Sequence, residues 1–416
     1  MKKKILLAML IVLVLLGVGG AYAYFATNAF KSDKEMFFTY ISQDLKNEKL
    51  LEYVKKQAET AYTNKGEVSI KVNEENNLAR TEDETVQMLN NSKITFEGKV
   101  DNSKKLAEQT MTMNFSQGFN IPVKIRRDGE TVGAQSKLLY DKFIAIKNEN
   151  LKALLEKLGA DAENVPDKID FEKSQFTEEE IKTLKDRYFS ILNDNLEDSL
   201  FSKEKVENQT VITLNVSDKK CSEILTKILE TLRNDEIILS KISEMTDEQE
   251  FKDNINDAID ELKDVETSDN NALCIKLYIE SKEVKKIETT LIDTESNKTV
   301  GKIEILKEEN ENDLIYTIKI DAEIEEDGKI SIDFKVEYKG IANLNDVEEN
   351  YEIRVKATDT DDEDMDITLN YTNLKTFTTD IQIEGINNDN AVIINDATDE
   401  ELDDLLVKIY ENLGLY

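Results

Sequence analysis

The stretch whose reading decides the fold is residues 313–340, "DLIYTIKIDAEIEEDGKISIDFKVEYKG". Leu314, Tyr316, Ile318, Ile320, Ala322 and Ile324 stand at alternate positions, and Ile330, Ile332, Phe334, Val336 and Tyr338 do the same after Asp327-Gly328. Their neighbours are mainly Asp, Glu, Lys, Ser and Thr. Successive side chains of a strand point to opposite faces, so this pattern predicts an antiparallel hairpin with one apolar wall and one wet wall. Asp-Gly between two such runs is a strong turn signal.

Similar runs extend outward from it. "LCIKLYI" (273–279), "VKKIETTLID" (284–293) and "TVGKIEIL" (299–306) precede the hairpin; "YEIRVKA" (351–357), "DITLNY" (366–371) and "TFTTDIQI" (376–383) follow. A second group lies nearer the N-terminus: "EVSIKV", "SKITFEGKV", "AEQTMTMNF", "IPVKIRR" and "SKLLYDKFIAIK", between residues 67 and 147, with an Asp128-Gly129 turn. Short β-forming runs at regular spacing predict antiparallel meanders.

Helical periods separate and flank the two groups. Residues 33–62 read as one helix, started by a Ser32/Glu35 capping box and carrying Phe37, Ile41, Leu45, Leu50, Leu51 and Val54 on its apolar side. "NLKALLEKLG" ends at Gly159. A second capping box, Thr177/Glu180 with Phe176 as a hydrophobic staple, opens a helix that runs to about 196. The strand "QTVITLNV" (209–216) leads into an all-helical insert over about 218–265. Thr398 and Glu401 cap a last helix, closed by Gly414 and expected to pack on the sheet.

The N-terminus is of another kind. Ile5 to Ala26 is uncharged for 22 residues, roughly 33 Å of helix against a hydrocarbon core of about 30 Å. Lys2, Lys3 and Lys4 predict a cytoplasmic N-terminus and a body on the far side. Tyr22, Tyr24 and Phe25 suit an interfacial belt, whereas Ala21-Tyr22-Ala23 would serve as a signal-peptide processing site. An uncleaved anchor is the preferred reading, with a cleaved signal peptide as the alternative. No cysteine follows the segment before Cys221, so a lipid anchor is not expected.

These elements define an α+β chain: an N-terminal transmembrane helix, then a large curved antiparallel β-sheet, read as a one-sided meander with helices packed on its concave face. The expected divisions are 1–4 cytoplasmic, 5–26 transmembrane anchor, 32–216 first helix plus β-meander with helices, 217–266 helical insert, and 267–416 second β-meander with the C-terminal helix.

Charge and composition limit the chemistry. The 53 basic and 87 acidic residues give a net charge of −34. Lys2, Lys3, Lys4 and Lys31 belong to the anchor region, so 49 basic residues face the 87 acids outside, a net of −38. Such a body repels nucleic acid and anionic headgroups. Histidine is absent, which removes the commonest general base and metal ligand and, with them, Ser–His and Cys–His catalysis. No glycine-rich phosphate loop follows a strand, and no catalytic, cofactor-binding or metal-ligating residue stands out. "DTDDEDMD" (359–366) spaces Asp359, Asp361 and Glu363 like the first ligands of a calcium loop. Asp364 stands where such a loop needs glycine and Asn370 where it needs glutamate, so the cluster reads as an acidic hairpin loop, with weak cation binding as the alternative. Cys221 shares a helical face with Ile224, Leu225 and Ile228, and Cys274 sits in a strand; both read as partly buried thiols, with a disulfide between them as the alternative.

The order helix, β-meander, helices, long β-meander, helix resembles the fold of periplasmic lipoprotein carriers and related mycobacterial lipoproteins, an unclosed barrel with helices in its concave side. "FIAIKNENLKALLEKLG" and "NAVIINDATDEELDDLLVKIYENLG", with an anchor followed by "SDKEMFF", resemble membrane-anchored Gram-positive surface proteins of the clostridial type. That second resemblance implies location and no activity. The expectation is therefore a membrane-tethered, extracytoplasmic, non-enzymatic protein with a structural or assembly role at the cell envelope. The alternative is a binding or carrier module holding a lipid or other apolar ligand in the concave face. Its partners are the membrane, through the N-terminal helix, and an envelope protein or a lipid.

Overall fold

The computed structural model describes residues 32–44, 47–73, 84–90, 92–115, 120–160, 167–168, 176–242, 247–264, 266–323, 328–358, 365–379 and 381–415. The segment Ile5–Ala26 lies outside them, and among the described residues no helix is long and apolar enough to cross a membrane.

The strands are β1 (Ala61–Val72), β2 (Lys93–Asp101), β3 (Leu106–Asn114), β4 (Asn120–Asp128), β5 (Thr131–Gln135), β6 (Phe143–Lys147), β7 (Phe201–Val206) and β8 (Gln209–Ser217). They continue as β9 (Asn271–Glu280), β10 (Glu283–Asp293), β11 (Lys298–Glu309), β12 (Leu314–Glu323), β13 (Lys329–Lys339), β14 (Asp346–Thr358), β15 (Met365–Phe377) and β16 (Ala391–Ile393). The helices are α1 (Asp33–Asp44), α2 (Glu48–Glu59), α3 (Glu84–Asn90), α4 (Leu151–Lys157), α5 (Glu178–Asn195), α6 (Asp218–Arg233), α7 (Glu236–Ile242), α8 (Glu248–Lys263) and α9 (Asp399–Asn412).

All sixteen strands form a single unclosed sheet in the order β16-β6-β5-β4-β3-β2-β1-β15-β14-β13-β12-β11-β10-β9-β8-β7. The chain runs outward from β1 to β6, then starts again at the opposite edge and runs inward from β7 to β15. The two meanders join where β1 pairs antiparallel with β15, Tyr62 opposite Phe377 through Val72 opposite Ile367. Among the described strands only the short β16–β6 pair is parallel. The architecture is thus α+β and mostly antiparallel.

The register puts the apolar phase of the strands on one common face. Residues directly opposite each other project to the same side. One such row runs Ile212, Leu277, Ile287, Ile305, Ile318, Phe334, Ile353, Leu369 and Ile70, crossing nine consecutive strands without a polar residue. The hairpin of residues 313–340 forms the middle of this row; Ile324 and Asp327 lie outside the described residues.

Helices bury the half of this face that spans β7 to β12. Phe37 and Phe38 of α1 meet Phe201 of β7 edge to face, with Phe189 of α5 against Phe38 at 5.0 Å. Cys221, Ile224, Leu225 and Ile228 of α6 press on Leu214, Val216, Leu273 and Ile275, leaving an apolar void of about 30 Å³. That exceeds the roughly 10–15 Å³ one water needs and is far too small for an acyl chain. At the other end, α4 and α9 pack around Tyr140, Leu154, Ile394 and Leu405. Beyond them coverage switches sides: Ile386 and Ala391 close over Phe143 and Ala145 on the opposite face, where the Arg126 guanidinium lies 4.6 Å from the Phe143 ring.

Several sequence readings are corrected. Residues 33–62 are two helices and the start of a strand. Asn47 accepts from Leu50 N and caps α2, and a side chain that satisfies a helix start competes with continuing the previous helix. Leu51 and Val54 are 55% and 56% exposed; Tyr53, at 1%, is the residue α2 buries. "SKLLYDKFIAIK" is a strand only from Phe143, and β5, β7, β16 and α3 had no reading. In "TFTTDIQI", Thr376 and Phe377 end β15 and residues 381–383 are not strand. All three capping boxes form: Ser32/Glu35, Thr177/Glu180 and Thr398/Glu401. Gly159 and Gly414 end their helices at positive φ, 76° and 66°, where a side chain would strain the backbone.

Candidate functional site: the open half of the apolar face

Beyond β12 the apolar face continues across β13, β14, β15 and β1 to β5, and among the described residues no helix lies over its middle. Ile70, Ile125, Val132 and Ile146 are 39%, 37%, 49% and 44% exposed. Phe334, Ile353 and Leu369, opposite one another on β13, β14 and β15, are half-buried. Most monomeric proteins expose no more than a few hundred Å² of contiguous apolar surface, which makes this face a candidate interaction site.

A polar stripe interrupts this face. Glu349 of β14 and Asn373 of β15 are directly opposite, and the next row places Lys375 of β15 beside Asn64 of β1. The Glu349 carboxylate accepts from the Tyr53 phenol at 2.7 Å, Lys375 Nζ at 2.9 Å and Asn373 Nδ2 at 3.0 Å. Lys375 lies between the rings of Tyr53 and Tyr62, 5.5 and 5.6 Å from their centroids. The ion pair is therefore buried, neutral overall and fully hydrogen-bonded at the carboxylate, the condition under which burying two charges is tolerable. Because the Asn373 amide donates to Glu349, its Oδ1 points elsewhere, and neither that atom nor Asn64 Oδ1 has a hydrogen-bond partner. An unmade hydrogen bond at a buried acceptor costs about 1–3 kcal/mol. Gln109 of β3 continues the Asn64 row beyond Gly98.

Aromatic rings line the border between stripe and apolar rows. Phe96 stacks on Tyr371 at 5.6 Å, Tyr371 on Tyr351 at 5.0 Å, and Tyr338 meets Tyr351 edge to face at 6.2 Å. A Cβ on Gly66 would lie 2.6 Å from the Phe96 ring and closer still to Thr372 O, so only glycine admits the ring there. Burial, then the nearby Glu349 charge, raises the phenols of Tyr53, Tyr351 and Tyr371, the last to about 12. They stay neutral at physiological pH.

The acidic cluster singled out in the sequence does not contribute. Asp359, Asp361, Glu363 and Asp364 lie outside the described residues. Asp366 is fixed within β15: Arg354 donates to both its oxygens at 2.9 and 2.6 Å, Asn73 Nδ2 donates at 2.7 Å, and Lys356 stands 3.4 Å away. The Arg354 bonds, against the opposing effect of burial, push its carboxyl down to about 2. Among the described residues no three Cys, Asp or Glu are placed to hold a metal ion. Cys221 and Cys274 are both free; burial pushes the Cys221 thiol up to about 12.

The stripe was missed because its members are far apart in the chain, from Tyr53 to Lys375. A signal was nonetheless present. In "VEENYEIRV" and "ITLNYTNLK", Glu349, Asn373 and Lys375 occupy the apolar phase of their strands.

No known protein family and no curated protein sequence matches the chain. Among solved structures it is similar to OmpT, an outer membrane protein of Vibrio cholerae, at 7% identity and a TM-score of 0.18, over 76% of this chain and 96% of that one. It is also similar to a mutant of the vaccine antigen transferrin-binding protein B from Haemophilus parasuis, at 8% identity and a TM-score of 0.12, over 76% and 75%. At TM-scores this low neither likeness carries fold or function to this chain.

Proposed function

We propose that the chain is a membrane-tethered, extracytoplasmic, non-enzymatic protein that holds a lipid or similar apolar molecule on the open half of its sheet. In this reading Ile5–Ala26 anchors it in the cell membrane with the N-terminus in the cytoplasm. The helix-bearing face is the concave one. One observation carries the proposal: among the described residues helices cover the nine-strand apolar row only as far as β12, and it continues through half-buried Phe334, Ile353 and Leu369 to exposed Ile70. An apolar surface of that width is unfavourable in water and gains about 25 cal/mol per Å² when an apolar ligand covers it.

The test is a comparison of the full-length protein with its Ile353→Lys/Leu369→Lys variant, each purified identically and extracted with organic solvent for lipid mass spectrometry. Lipid in excess in the unaltered protein is the expected result; equal lipid in both overturns the reading.

An assembly role at the envelope is the second reading. Leu406, Tyr410 and Leu413 form an exposed stripe along α9, at helical spacing, that suits a protein partner.

A further inference from the structure

Helix α2 lies across one end of the open face, and its contacts fix which way each flank looks. Lys49 Nζ donates to the carbonyls of Asn310 and Glu311, at 2.8 and 3.3 Å, in the turn between β11 and β12. Lys56 Nζ donates to the Leu344 carbonyl in the turn between β13 and β14. The Gln57 carbonyl accepts from Asn102 Nδ2, at 2.8 Å, just beyond β2. The helix thus runs crosswise over the strand ends, with Tyr53 beneath it on Glu349. Residues seven apart share a flank, so Lys49 and Lys56 mark the side of α2 that looks outward over the turns. Residues two apart differ by about 200°, so Leu51 and Val54 stand on the other flank, which looks along the strands over Tyr351 and Ile353.

Leu51 and Val54, 55% and 56% exposed, therefore turn the apolar floor up into an end wall. From that wall the floor continues along β14 through Ile353 and Val355 to Ala357, with Leu369, Ile367 and Met365 beside them on β15. Six residues of strand from Tyr351 to Ala357 span about 20 Å, compared with roughly 15 Å for one leaflet of a bilayer core, so one acyl chain fits lengthwise. The two ends of this trough differ. The polar stripe at the α2 end is buried under Tyr53, so a head group placed there would lose water and find no partner. At the other end Lys329 and Thr358, opposite each other on β13 and β14, are exposed, and a head group stays hydrated.

The length of chain before α1 says what is at hand to fill the trough. Ala26 precedes Ser32 by six residues, at most about 21 Å, so a body tethered through Ile5–Ala26 stays beside the bilayer. A second copy is a poorer occupant, because each chain carries a net charge of −34. Resting on the lipid-holding reading above, we infer that α2 is the end wall of the lipid site. The acyl chain of a membrane lipid lies along β13, β14 and β15, its methyl end against Leu51 and Val54 and its head at the Lys329–Thr358 end.

The test uses the full chain in phosphatidylcholine nanodiscs carrying a trace of one of two photoactivatable phosphatidylcholines. One has its diazirine at the methyl end of an acyl chain, the other beside the glycerol. Crosslinks are mapped to residues by mass spectrometry. The expected result is labelling of Leu51 and Val54 by the first probe and of Ile330, Ala357 and Met365 by the second. Leu51→Gln/Val54→Gln should lower labelling of the sheet by about tenfold, because two half-exposed side chains no longer offer apolar contact to the chain end. Its urea unfolding midpoint should stay where it was; if the midpoint falls, the positions labelled in the unaltered protein decide alone. Probes that exchange places, or sheet labelling that omits α2 and ignores the double variant, overturn the end wall and leave lipid holding intact. Crosslinks from both probes confined to Ile5–Ala26 overturn both proposals.

Discussion

The phenol of Tyr53 on α2 donates to the carboxylate of Glu349 on β14 across 296 residues of chain, at 2.7 Å, with both side chains almost completely buried. This bond ties a helix near the N-terminus to the centre of the sheet. It also completes the coordination of a buried ion pair that could not persist unsatisfied. Tyr53→Phe should lower stability by about 2 kcal/mol, the worth of a hydrogen bond to a charged group. Denaturant unfolding of the full chain measures it.

Removing one partner of the ion pair should cost more than removing both. Lys375→Met leaves Glu349 buried without its counter-charge, an expected loss of about 3–5 kcal/mol. The double variant Glu349→Met/Lys375→Met removes the desolvation cost along with the attraction and should be appreciably more stable than Lys375→Met. Unfolding midpoints of the two variants decide the order.

Acid and alkali should act on different parts of the sheet. Asp366 titrates near pH 2 in the folded chain and near 4 when unfolded, so its contribution is complete above about pH 4 and lost as pH falls toward 2. Because Arg354 is well exposed, about 1–2 kcal/mol is expected after solvent screening, and Asp366→Asn should flatten this limb of the stability–pH curve. The tyrosines behave oppositely. Tyr53, Tyr351 and Tyr371 have folded values above the ordinary 10, so their contribution is complete below pH 10 and lost as pH rises past it. Absorbance titration of phenolate should find these rings ionising only together with unfolding.

The covered and open halves of the apolar row should respond differently to the same kind of change. Leu277→Ala, under the helices at zero exposure, should destabilise by about 2–5 kcal/mol. Ile353→Ala, in the same row but only half-buried and with no helix over it among the described residues, should cost less, about 1 kcal/mol. Equal losses would mean that the open half is covered in solution.

Cys221 should be inert toward iodoacetamide in the folded chain and react once denatured, because its thiol is buried and protonated. The unfolded chain should migrate identically with and without reductant.

Much of the local structure was legible without coordinates. Strict alternation at 313–340 set one wall of β12 and β13 as apolar, and the three capping boxes marked true helix starts. The join between α1 and α2 was not legible, because Leu51 and Val54 imitate a core face that Tyr53 in fact supplies. Asp359–Asp366 drew notice by density of charge, whereas the ordered polar cluster was dispersed over α2, β1, β14 and β15.

The sequence by itself determined the period of each element, the sign of the surface and the absence of histidine chemistry, because these depend on residues close together in the chain. Only the tertiary structure decided that β1 pairs with β15, merging two meanders into one sheet, and that among the described residues the main helical core covers the apolar row as far as β12 while α2 sets Tyr53 against Glu349 of β14. Strand pairing is selected by contacts hundreds of residues apart, and alternation says which face is apolar without saying what covers it. Glu349, Asn373, Lys375 and Asn64 interrupt three separate strand patterns, and only the register sets them side by side.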